Sequence, residues 1–166
     1  MNDSFYEQLV THKSGLKENL IRIVVTIVIT LFLLLTLPLL GFLSIVITIV
    51  LALLAYYFLF QKLNVEYEYT LLNHDLEVDA IYSKSKRKKL LTLDIQQAEI
   101  IAPKGSPRMN SYHPDKTMDF SSGDSSAKAF AIMTFIDQKS TCIIIEPDET
   151  MLGHMKSWMG MKLWMD

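Results

Sequence analysis

The chain has a single cysteine, Cys142, among its 166 residues. One thiol cannot close an intrachain disulfide, so the fold has no covalent staple. Nor does Cys142 read as a nucleophile, which needs a neighbouring base and a group that stabilises the thiolate. It sits in the apolar run TCIII, and the nearest histidine in sequence, His154, is twelve residues on in another element. The four histidines, His12, His74, His113 and His154, are scattered and never approach an HxxxH or Cys/His metal spacing. GxSxG, the P-loop and GxGxxG are all missing. The chain therefore reads as a non-enzyme with no cofactor.

Charge is missing in one place above all. Ile23 to Phe60 holds no Asp, Glu, Lys, Arg or His, so every charged residue lies outside those 38 positions. The net charge of −2 averages two dissimilar regions and describes neither. A helix needs about 20 apolar residues to cross a hydrocarbon core. The uncharged segment is too long for one such span and suits two. Pro38 and Gly41, in TLPLLGF, supply a break. The reading is a transmembrane hairpin over 20–61, with helices near 20–37 and 42–60. A soluble protein could not cover two helices that are apolar on every face with the remaining residues. A cleaved signal peptide would have an apolar core of only about 7–15 residues.

Lys13, Lys17 and Arg22 precede the first helix, Lys62 follows the second, and the turn between them has no basic residue. The positive-inside rule then places both termini in the cytoplasm of a multi-pass cell-membrane protein. Tyr56 and Tyr57 stand where headgroup-level anchors sit. Neither helix carries an ionisable group, which excludes the usual signature of an ion or proton pathway. Thr26, Thr30, Thr36, Ser44 and Thr48 are the polar side chains there. They are expected to bond back to their own helices or to contact another helix.

On either side of the hairpin lie a short segment, 1–19, read as cytoplasmic, and a polar region, 64–166. In the latter the period drops to two. VEYEYTLL sets Val65, Tyr67, Tyr69 and Leu71 against Glu66, Glu68 and Thr70. After the turn Asn73–Asp75, LEVDAIY alternates in the same way. LLTLDI (90–95), AEIIA (98–102), FAIMTFI (130–136) and TCIIIE (141–146) read as further strands, with a turn at 137–140. Residues 103–128, rich in Ser, Gly, Pro and Asp, read as a long loop. The end is a helix beginning at Pro147, with Asp148 and Glu149 at the positive end of its dipole. Its apolar stripe is Met151, Leu152, Met155, Trp158 and Met159, and it stops at Gly160. The fold class is thus a membrane α-helical hairpin plus an α+β domain. Its antiparallel sheet or partial barrel has about six strands closed by a C-terminal helix.

Two clusters invite a functional reading. Ser83–Leu90, SKSKRKKL, carries Lys84, Lys86, Arg87, Lys88 and Lys89. It falls between two strands and so reads as a solvated hairpin turn. Facing an anionic leaflet, it would also serve as a lipid-headgroup contact. Nucleic-acid binding does not fit, because no aromatics are interleaved and the rest of the region is not basic. Asp75, Glu77 and Asp79 alternate along one strand, and His113, Asp115 and Asp119 form a looser group. Both read as solvated faces before they read as sites for a hard cation.

The order of strands, long loop, two strands and closing helix resembles a pleckstrin-homology-like domain. In VEYEYTLLNHDLEVDAIYSKSKRKKLLTLDIQQAEIIAP, IIIEPDETMLGHMKSWM and the opening MNDSFYEQLV, the chain resembles a family of small, uncharacterised two-helix membrane proteins of Gram-positive bacteria, a domain of unknown function. The resemblance spans nearly the whole chain and brings no catalytic or ligand residues with it. It implies a membrane-anchored interaction module whose partner is another protein, a second copy or anionic lipid. It also leaves room for an accessory subunit of a larger membrane complex.

Overall fold

The structure is a computed structural model, and it describes residues 5–13 and 15–165. The first four residues of the N-terminal segment and the side chains of Lys17 and Lys62, used above for orientation, lie outside the described residues. The chain forms two compact units. One joins residues 5–13, 66–81 and 86–165; the other joins 15–65 with 82–85.

The first unit begins earlier in the chain than its composition suggests. Phe5–Thr11 is a strand, β1. It pairs antiparallel with β2 (Val65–Leu72), in a register running from Phe5 opposite Leu72 to Thr11 opposite Glu66. With β3 (Asp75–Tyr82) and β4 (Lys86–Asp94) it makes a four-stranded sheet in the order β1-β2-β3-β4. Residues 5–11 of the segment 1–19 are therefore paired with the start of the region 64–166 and form one compact unit with it. The uncharged segment is an insertion in what would otherwise be a β-hairpin connection.

A second sheet contains β5 (Ile100–Pro103), β6 (Lys116–Asp119), β7 (Phe130–Ile136) and β8 (Lys139–Ile145), ordered β5-β7-β8-β6. β5–β7 and β7–β8 are antiparallel, while β6 runs parallel to β8. The strand count is thus eight in two sheets, not six in one partial barrel. The turn between β7 and β8 is only Asp137–Gln138, both at positive φ (50° and 65°). That geometry matches the strand twist.

A helix, α3 (Glu149–Met159), follows. Its N-cap is Asp148, whose Oδ1 accepts from the Met151 amide at 2.8 Å, so the helix starts two residues later than Pro147 suggests. Gly160, at φ 56°, ends it. Both sheets and α3 share one core, in which Tyr69, Leu76, Ile132, Ile143, Met151 and Met155 are fully buried. Of the expected helical stripe, Trp158 stays 38% exposed.

In the second sheet, β5, β7 and β8 are apolar on both faces over most of their length. Ile100, Ala102, Ala131, Met133, Cys142 and Ile144 form a separate cluster under Met109, Tyr112 and Ala129. Residues 104–129 are therefore a lid on that sheet and not a free loop, and they contribute β6 and the buried Phe120. A strand covered on both sides needs apolar residues at every position, which accounts for the unbroken runs FAIM and CIII.

In the second unit α1 (Leu16–Leu40) and α2 (Phe42–Ala55) form a hairpin. Helix α1 runs through Pro38, which so near a helix end costs only one backbone bond. The break is Gly41 alone, at φ 53°, not the longer PLLG turn. α2 continues through a π-helical segment, Tyr56–Phe60, and a last turn, Gln61–Leu63. Glu18–Leu40 and Phe42–Phe60 are each long and apolar enough to cross a membrane. Their apolar side chains, among them Leu34, Leu35, Leu39 and Phe42, point outward. Thr26, Thr30, Thr36 and Thr48 each donate to the carbonyl four residues back, and Ser44 donates to Gly41. All five hydroxyls are thus bonded within the hairpin.

Candidate interaction surface

The basic run is a hairpin turn with a charged strand end. Ser83 and Lys84, both at positive φ, make the bend, and Lys86–Lys89 belong to β4. On the strand, two of the five cations meet carboxylates. Arg87 pairs with Glu68 of β2 and, at 3.4 Å, with Asp79 of β3. Lys89 holds Glu77 at 2.8 Å. Glu68 and Asp79 are mostly shielded, at 16% and 14% side-chain exposure, so Arg87 neutralises two carboxylates that water reaches poorly. Among the described residues, Lys84, Lys86 and Lys88 remain without a carboxylate partner and are exposed or half-exposed.

The bend itself is tied to the helical hairpin. The Ser83 amide donates to the Asn64 carbonyl at 2.9 Å, and its hydroxyl donates to the Gln61 carbonyl at 3.0 Å. Arg22 in turn donates to the Asn64 side chain at 2.7 Å. Lys84 lies some two dozen residues beyond α2 in sequence, yet its turn is bonded to the segment that ends that helix.

The acidic trio separates. Glu77 and Asp79 are taken by Lys89 and Arg87, while Asp75 turns to His74, whose Nδ1 lies 3.5 Å from Asp75 and 3.1 Å from Asp94. Asp119 accepts from the Ser121 amide and hydroxyl and faces Lys104 at 3.5 Å, and the Ser140 amide donates to Asp115. His113, Asp115 and Asp119 do not converge on one point as ligands. Cys142 is buried beneath residues 104–129, and burial pushes its thiol up, away from the reactive thiolate.

An open cavity of about 640 Å³ is lined by Pro103, Lys104, Ser121, Gly123, Asp124 and Lys128, among others. Its Ser/Gly loop has the look of an anion cradle, but the amides are already engaged. Those of Ser121, Ser122, Gly123, Asp124 and Ser126 donate to Asp119, Glu146, Ser121, Ser122 and Asp124 respectively. The loop instead receives the chain leaving β1. The Lys13 amide donates to the Ser122 carbonyl at 2.8 Å, His12 Nδ1 lies 3.1 Å from the Ser121 carbonyl, and Lys13 pairs with Asp124. The Lys13 ammonium holds the Asp124 carboxyl down at about 2.

Sequence reasoning missed β1 altogether. Its inward side chains are Tyr6, Gln8 and Val10. Tyr6 donates to Asp148, which raises the pKa of its own phenol. Gln8 donates to the Glu146 carbonyl and accepts from the Asp148 amide, both at 2.8 Å. The first strand thus holds the N-terminus of α3. Its outward side chains include Phe5 and Leu9, 56% and 53% exposed, with Leu72 directly opposite Phe5. The period of two was present in FYEQLVT, but polar residues on the buried side and apolar ones on the open side disguised it.

Two sheets, a capping C-terminal helix and a β1–β2 connection opened by an apolar hairpin define a pleckstrin-homology-like domain with a helical insertion. The chain belongs to the family described as Bacterial PH-like domain (DUF6106), whose model matches residues 2–165. A domain of this kind points to a protein- or lipid-interaction module. No curated protein and no solved structure matches the chain.

Proposed function

We propose that the protein is a non-enzymatic, membrane-anchored interaction module. Its helical hairpin spans the cell membrane twice, and its pleckstrin-homology-like domain faces the cytoplasm to meet a protein partner or a second copy. The observation that carries this reading is the insertion of the hairpin between two paired strands. Antiparallel β1 and β2 bring both ends of the insertion to one side, which supports an even number of crossings. The two helices are about 37 and 28 Å long at about 1.5 Å per residue, enough for a hydrocarbon core of about 30 Å. Their outward apolar side chains suit lipid.

The contact surface we favour is the β1 edge. Among the described residues β1 has a strand on one side only, and Phe5 and Leu9, with Leu72 of β2, stand exposed on the outer face. An open edge with apolar side chains suits strand addition by a partner. A photo-crosslinking residue at Leu9, introduced in the full chain in intact membranes, should give discrete adducts, and one at Thr92 should not. Equal labelling at both positions would remove the β1 edge from consideration. The topology is tested with single cysteines in a Cys142→Ala chain. An impermeant thiol reagent added to intact cells should reach Leu40→Cys and not Gln138→Cys. The reverse pattern would overturn the orientation.

One observation favours anionic lipid as a second ligand. The Ser83–Lys84 turn is bonded to the segment that follows α2, and Lys84, Lys86 and Lys88 have no carboxylate partner among the described residues. Each such lysine would gain about 1 kcal/mol beside an anionic leaflet. Hydrogen exchange of the full chain in lipid nanodiscs tests this. Amides 83–89 should be slower in anionic than in neutral lipid, and Lys84→Glu, Lys86→Glu and Lys88→Glu together should abolish the difference.

A further inference from the structure

The β2–β3 turn, the end of β4 and the exposed face of α3 meet at one imidazole. His74 Nδ1 has a carboxylate oxygen of Asp94 at 3.1 Å and one of Asp75 at 3.5 Å, and the three ligand atoms all lie within 4.8 Å of one another. A neutral imidazole offers Nδ1 at most one proton, so it serves one of these oxygens properly and leaves the other facing it. A cation at the point of convergence resolves that conflict, because all three atoms then act as donors of electron pairs.

The spacing suits a small, borderline-soft ion. Zinc holds imidazole nitrogen and carboxylate oxygen at about 2.0–2.2 Å, so two tetrahedral ligands stand about 3.3 Å apart. The two separations from Nδ1, 3.1 and 3.5 Å, straddle that value. One nitrogen and two carboxylates favour a first-row transition ion over calcium or magnesium, which take oxygen alone.

The groups are held in place from behind. The His74 carbonyl accepts from the Ile95 amide at 2.9 Å, and its ring meets Trp158 edge-on at 5.5 Å between centroids. Asp94 accepts from the Gln96 amide at 2.9 Å and from the Gln97 side chain at 3.3 Å. Such outer contacts are what orient metal ligands. His74 and Asp75 are partly open to water, so solvent can complete the coordination.

We propose that His74, Asp75 and Asp94 form a binding site for a divalent transition-metal ion of the zinc class. The bound ion joins the β2–β3 turn to β4 and, through Trp158, steadies α3. The role is structural, and it is independent of which partner the domain meets.

Isothermal titration of the chelator-stripped, untagged full chain in detergent with Zn²⁺ should show one equivalent bound with micromolar affinity. His74→Phe keeps a ring against Trp158 but removes the ligand, and it should weaken binding by about tenfold or more. Asp75→Asn, on an exposed turn where misfolding is not at issue, should weaken it several-fold. His12→Phe and His113→Phe should leave it unchanged. In a Trp164→Phe chain, the fluorescence of Trp158 should change with the same midpoint as the heat signal. No uptake, equal affinity in wild type and His74→Phe, or loss through His12 or His113 instead would overturn the proposal.

Discussion

The two sheets of the domain solve the same packing problem in opposite ways. The sheet β1–β4 buries one face in the core and carries charge on the other, where Glu68, Glu77 and Asp79 face Arg87 and Lys89. In the sheet β5–β8, the strands β5, β7 and β8 are buried on both faces, by the shared core on one side and by residues 104–129 on the other. Charge is tolerated on the first because neighbouring strands supply the opposite sign. It is absent from the buried stretches of β5, β7 and β8 because nothing there would solvate it. The first sheet therefore has surface to spare for contact, and the second is where the stability of the domain is concentrated.

The largest test of that division removes a side chain from the doubly covered sheet. Ile143→Ala, at a fully buried position in β8, should cost about 2–5 kcal/mol, whereas Leu9→Ala on the outer face of β1 should change stability by less than about 0.5 kcal/mol. Urea titration of the two variants in detergent checks the contrast, and comparable losses would break it. Next in size is the junction between the halves. Asp148→Ala removes the cap of α3 together with the partner of Tyr6, and should cost about 0.5–2 kcal/mol with faster amide exchange in 149–152. Arg87→Ala leaves Glu68 and Asp79 facing each other on the charged face. Since Arg87 is half exposed, the expected loss is about 1 kcal/mol, recovered in part by adding Glu68→Gln.

The smallest effect is acid-dependent. Asp124 is held at about 2, below its ordinary value of 3.8, by Lys13 and by the Ser126 amide and hydroxyl. A depressed carboxyl stabilises the fold above its unfolded pKa, and that contribution fades as pH falls from about 4 towards 2. Amides 12, 13 and 121–124 should therefore lose protection in that window, ahead of β7 and β8. Asp124→Asn should remove the step.

The sequence was most legible where the pattern is local. Alternation marked β2 and β3, and continuous apolar runs marked β7 and β8. The uncharged stretch marked the hairpin, and Gly160 marked the end of α3. Errors came where a distant partner changes the meaning of a residue. Pro38 and Gly41 both read as the helix break, but Pro38 stays inside α1 and Gly41 alone makes the break. SKSKRKKL read as a solvated turn with charged strand ends, and the pairing of Arg87 and Lys89 was hidden because their carboxylates sit on two other strands. The polar stretch 103–128 looked free because the cluster it covers lies in strands before and after it. His74 and Asp94 are twenty residues apart and gave no spacing signal.

By itself, then, the sequence determined that two long apolar helices would stand back to back and that a strand-rich domain closed by a helix would follow. Both conclusions rest on composition and periodicity within short windows. Only the tertiary structure decided that residues 5–11 complete the first sheet, that Arg87 and Lys89 are neutralised, and that a histidine and two aspartates converge. These depend on contacts as distant as Tyr6 with Asp148, separated by 142 residues. Strand pairing and side-chain convergence are settled by which surfaces must be buried together, and no local pattern encodes that.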